Sequence, residues 1–110
     1  MKKWLQLLRD RTLLRQTKKQ ALTIAEQSKE AVRERLGNAV YTMDIPEARG
    51  YVKARAAAVI RQQVAQLLGK RHRFSDRMVA RMHQLATERV THLTLVDLLS
   101  EGKEGRRLAA

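Results

Sequence analysis

From Met1 to Leu36 the chain contains neither glycine nor proline, and its apolar residues recur at helical intervals. Leu7, Leu14, Ala21, Ala25, Val32 and Leu36 follow in steps of seven, seven, four, seven and four. Those steps put all six on one side of a helix with 3.6 residues per turn. A strand cannot produce the pattern, because its faces alternate at every second residue. The run stops at Gly37-Asn38, where glycine suits the left-handed residue that closes a helix. Residues 2–36 therefore read as one helix, roughly 50 Å long at 1.5 Å per residue. Thr17 and Gln20, in the polar interval Arg15–Gln20, have the spacing of a capping box and offer a break. An unbroken helix that overhangs its neighbours is the preferred reading.

This helix has further apolar lines. Leu13, Ile24 and Ala31 form one, and Leu8 and Leu22 join Trp4 on another side. Apolar residues on several faces call for several neighbours. Those are the other helices of the chain or a second copy of it, and Leu13, Ile24 and Ala31 are the candidate oligomer interface.

A second helix is announced by Asp44-Ile45-Pro46-Glu47, with Asp as N-cap, Pro in the first turn and Glu three residues after the cap. It is expected to run through Leu68 and stop at Gly69, with Val52, Ala56, Val59, Ile60, Val64, Leu67 and Leu68 inward. Arg49 and Lys53 share the side of Ile60 and Leu67, so this end projects past the core or its long side chains snorkel. Ser75 caps a third helix whose apolar face is Met78, Val79, Met82, Leu85, Ala86, Val90, Leu93 and Val96. Thr94 and Asp97 again have capping-box spacing, and Leu95, Leu98 and Leu99 leave that face. A kink or short fourth helix is expected over residues 95–101. The fold class is all-α: an antiparallel three-helix bundle with a long first helix and that short C-terminal addition. Residues 1–101 form a single domain, and 102–110 a mobile tail.

Composition narrows the function classes. There is no cysteine, so disulfides and thiolate metal sites are excluded, and a reducing, cytoplasmic setting is expected. No run approaches ~20 apolar residues, and Arg9, Asp10 and Arg11 end the opening apolar run short of a signal-peptide core. His72, His83 and His92 are the only histidines, and the last two are nine residues apart rather than the four of a helical metal pair. No nucleophile, base and orienting residue come together, and neither Gly69-Lys70 nor Gly102-Lys103 has the rest of a phosphate loop. The reading is of a non-enzyme without cofactor or metal.

The formal net charge is +12, and the cations cluster. Residues 1–19 carry Lys2, Lys3, Arg9, Arg11, Arg15, Lys18 and Lys19 against Asp10 alone. Residues 49–81 carry Arg49, Lys53, Arg55, Arg61, Lys70, Arg71, Arg73, Arg77 and Arg81 against Asp76 alone. An evenly solvated surface mixes signs more. Within the second cluster, Gln63-Val64-Ala65-Gln66-Leu67-Leu68-Gly69 resembles the first helix and turn of a helix-turn-helix motif. The resemblance implies that Ala65 packs closely on a second helix and that Gly69 makes the turn. It covers seven residues only: Lys70-Arg71-His72-Arg73 replace the apolar positions such a turn needs, and a helix starting at Ser75 comes late.

The expected function is a basic helical binding protein that contacts nucleic-acid phosphates, DNA or RNA, through Arg61, Lys70, Arg71, Arg73, Arg77 and Arg81, with Phe74 or His72 placed to stack on a base. The alternative is a homo-oligomeric assembly or adaptor protein, a homodimer for example, with an acidic protein as a further candidate partner. Attachment to a membrane surface through Trp4, Leu5, Leu7 and Leu8 is the weaker expectation, because Arg11 and Arg15 interrupt the apolar arc.

Overall fold

The computed structural model describes the backbone of residues 2–70 and 74–109, and the side chains of residues 3–5, 8, 11, 12, 14–69 and 74–101. Every regular element among the described residues is helical. In chain order these are α1 (Lys2–Leu36), a 3-10 turn (Ala39–Thr42), α2 (Ile45–Lys70) and α3 (Asp76–Ala109). All three long helices pack on one another.

Local chemistry sets the boundaries. Gly37 closes α1 with φ at +59°, a conformation that costs glycine nothing. The Asp44 carboxylate accepts the Glu47 N–H at 2.9 Å, and the Ser75 hydroxyl accepts the Met78 N–H at 3.3 Å. The end of α1 receives help from α2: Tyr51 donates its hydroxyl to the Leu36 carbonyl at 3.1 Å, and Arg55 Nε donates to the Arg35 carbonyl at 3.2 Å. These satisfy acceptors that a helix end leaves open. The Arg55 guanidinium also lies 3.4 Å over the Tyr51 ring.

The same contacts give the helix directions. The start of α2 lies at the end of α1. Lys29 and Arg33 of α1 pair with Asp97 and Glu101 of α3. Gly50, Ala54 and Ala57 of α2 face Thr87 to Ala80 of α3 in reverse order. So α1 and α3 run the same way and α2 runs against both. The core is built of small and β-branched residues: Ala21, Ala25 and Val32 from α1, Val52, Ala56 and Ile60 from α2, Met82, Ala86 and Val90 from α3. Alanines at the crossings let the backbones approach closely, and Ile60 and Met82 fill what remains.

α1 is a single helix through Thr17, which is buried in the core rather than acting as a cap. Thr17 is also the first buried residue on α1. Before it, every described side chain, Lys3 to Gln16, is exposed. The first turns of α1 therefore project past the packed region, and the molecule is 67 Å long against about 39 Å for α2.

Several expectations are corrected. Leu14 continues the apolar line of α1 but is 56% exposed, because it stands on the projecting part. Ile24 is 5% exposed and Ala31 is partly buried against the core, so both are packed within their own chain. The side chain of Leu13 lies outside the described residues. No break or separate fourth helix occurs at residues 95–101. Thr94 is buried inside α3, Asp97 pairs with Lys29, and Leu95 and Leu98 leave the main face because they cover the 3-10 connection near Val40 and Met43. Residues 102–109, expected as a mobile tail, continue α3 as helical backbone. On α3 the core face includes Thr87, Thr91 and Thr94, and Val96 is exposed. Gly69 does not end α2, which runs on to Lys70 with no positive φ at the glycine. Gly69 is helical and Ala65 is exposed, so neither has the role that the helix-turn-helix resemblance implied.

Candidate polyanion-binding end

The parallel arrangement of α1 and α3 brings the first half of one beside the start of the other. The C-terminus of α2 reaches the same end of the molecule. Two cationic stretches that are remote in sequence thereby share that end. Residues 2–19 and 70–81 together hold twelve lysines and arginines against Asp10 and Asp76, ten of the twelve net positive charges in the chain.

Lys3, Arg11, Arg15, Lys18 and Lys19 on α1 are all exposed, and so are Arg77 and Arg81 on α3. Arg61 is also exposed, on α2 about two and a half turns before its end. None of these eight cations makes an ion pair among the described residues. Arg81 has a long contact of 3.5 Å to the Gln84 amide oxygen. Of the expected site, Arg61, Arg77 and Arg81 are exposed. The Lys70 side chain and residues Arg71, His72 and Arg73 lie outside the described residues.

Phe74 does not stand free for stacking. It is half-buried against the core and anchors the α2–α3 connection. Ser75 already occupies the Met78 N–H at the start of α3, so the side-chain cations carry the site. The sequence reading kept the two clusters apart; the helix directions place them at the same end of the molecule.

The other end has a different electrostatic character. Lys29–Asp97 and Arg33–Glu101, each closing at 2.6 Å, bind α1 to α3 there. The hydrogen bonds from Arg33 hold the Glu101 carboxyl below its ordinary value and raise the guanidinium above its own. Arg55 is spent on the end of α1. These three are structural cations.

In comparisons with known proteins, no protein-family model, no curated protein and no solved structure matches this chain. Function must therefore be argued from the site. Among the described residues no three His, Cys, Asp or Glu side chains converge to hold a metal ion. No described helix is long and apolar enough to cross a membrane. A shallow groove of about 510 Å³ between α2 and α3 is lined mainly by small residues, with Lys53, His83 and Glu88 among them. His83 Nε2 and the Thr87 hydroxyl are buried there without a hydrogen-bond partner, and His92 is exposed on another side of α3.

Proposed function

We propose that this chain is a non-catalytic binding protein that holds nucleic-acid phosphates on the basic end of an antiparallel three-helix bundle. The observation that carries the reading is that Arg15, Lys18 and Lys19 of α1 and Arg77 and Arg81 of α3 are exposed in the halves of the two helices that share one end of the bundle, without acidic partners among the described residues. Unpaired cations at this density attract a polyanion from a distance, and association releases the counterions condensed on it. Arginine suits phosphate because its planar fork donates two parallel hydrogen bonds. The binding is predominantly electrostatic and weakens steeply with salt.

Fluorescence anisotropy tests this with labelled duplex DNA, single-stranded DNA and structured RNA at two salt concentrations. The Arg15→Glu, Arg77→Glu, Arg81→Glu triple variant loses binding while its helical circular-dichroism signal survives. Arg49→Glu with Lys53→Glu, at the other half of α2, leaves binding nearly unchanged. Equal loss in both variants would mean that net charge, not this end, holds the ligand.

A further inference from the structure

The projecting part of α1 carries a feature that phosphate binding leaves unexplained. Trp4 is 67% exposed, Leu5 63% and Leu8 42%. These three large apolar side chains lie within two turns; Leu5 and Leu8 point away from the buried residues Ala21, Ala25 and Val32, and Trp4 stands at the flank of that face. Nothing among the described residues buries them. Arg11 and Arg15 follow on the same side of the helix, one and two turns beyond Leu8, and Lys18 and Lys19 come next. Along the helix the apolar group is flanked by cations, with Lys3 before it and Arg11, Arg15, Lys18 and Lys19 after it.

A second copy is a poor occupant for this tip. Any pairing of tip with tip brings together two ends that each expose Lys3, Arg11, Arg15, Lys18 and Lys19. Phosphates of a nucleic acid satisfy the cations but offer leucine nothing. An anionic bilayer surface satisfies both parts. Its headgroup phosphates meet the arginines and lysines, and its outer acyl region takes up leucine, with the tryptophan ring at the boundary between them. Shallow entry keeps Lys3, Arg11 and Arg15 at headgroup depth, with Trp4, Leu5 and Leu8 reaching the acyl boundary.

We infer that the projecting first turns of α1 form a reversible anchor for anionic lipid surfaces, with Trp4, Leu5 and Leu8 as the inserted residues and Arg11 and Arg15 as the phosphate contacts. This does not rest on the nucleic-acid reading, because the inserted side chains are not part of that patch. Three insertable residues give weak attachment, comparable in kind to a single membrane signal.

Trp4 is the chain's only tryptophan, so its emission reports on the tip directly. The test uses the full chain without nucleic acid and vesicles of phosphatidylglycerol with phosphatidylcholine, or of phosphatidylcholine alone. With anionic vesicles the emission shifts to the blue and the protein co-sediments; with neutral vesicles both effects are small. Leu5→Ser with Leu8→Ser keeps the charge and the helical signal but lowers co-sedimentation by at least about tenfold. An unshifted emission with anionic vesicles overturns the anchor. Equal co-sedimentation of the serine variant overturns it too, since attraction would then be purely electrostatic. A fall from dimer to monomer in that variant, seen by sedimentation equilibrium without vesicles, would assign the tip to a second copy instead.

Discussion

Arg33 of α1 grips Glu101 of α3 with two parallel hydrogen bonds, each of 2.6 Å. One turn earlier on both helices Lys29 meets Asp97, with the same separation of 68 residues along the chain. Two contacts with one offset fix a parallel register. That register sets the basic half of α1 beside the basic start of α3.

The pair itself contributes little to stability, because both side chains are about a third exposed or more. Glu101→Gln is expected to cost ~0.5 kcal/mol at neutral pH. The Glu101 carboxyl is held below its ordinary value by the Arg33 hydrogen bonds, so its folded form binds a proton less readily than its unfolded form. The contribution is complete above the unfolded carboxyl's pKa and is lost as pH falls through the lower folded one. Urea denaturation at neutral pH and in acid checks the sign: the gap between the two proteins closes in acid. A gap that widened in acid would contradict the assignment.

Two glycines should respond in opposite directions. Gly37→Ala forces a Cβ into the left-handed region and is expected to cost about 1 kcal/mol. Gly69 is helical, and a Cβ there meets nothing within 4 Å, so Gly69→Ala should add ~0.5–1 kcal/mol. Thermal melts of the two variants decide it. Destabilisation by Gly69→Ala would mean that α2 turns at that residue.

The core has a polar seam. The Thr91 and Thr94 hydroxyls are buried on α3 without a hydrogen-bond partner. Valine has nearly the same shape and no hydroxyl to desolvate, so Thr94→Val should stabilise by about 1 kcal/mol. Ile60→Ala, at a site with no exposure, should cost about 2–5 kcal/mol. Urea midpoints compare them, and a destabilised Thr94→Val would show that the hydroxyl has an essential partner.

At the basic end, each cation in contact with duplex phosphate should contribute ~0.9 to the slope of log affinity against log salt. Arg77→Ala and Arg81→Ala should each lower that slope by up to this amount. Arg49→Ala should leave it alone, because Arg49 lies near the opposite end of α2. Equal slopes in all three variants would place the contact elsewhere.

What the sequence determined by itself is local. Gly37, Asp44 and Ser75 mark helix ends because a cap is a bond between residues two to four apart, and no distant neighbour alters it. The inward residues of α2 were equally legible, since one helical period selects them. Gly69 and the Thr94–Asp97 spacing misled, because packing kept the helix going where local preference alone permits a stop.

Only the tertiary structure decided the rest. Ile24 and Ala31 read as a free face until the other helices were in place to cover them. Leu95 and Leu98 read as a break until the 3-10 connection supplied their partner. The two cationic stretches came to the same end of the molecule only when α1 and α3 were set parallel. Which face a helix buries follows from what lies against it, and that depends on elements up to 68 residues away, beyond the reach of any local pattern.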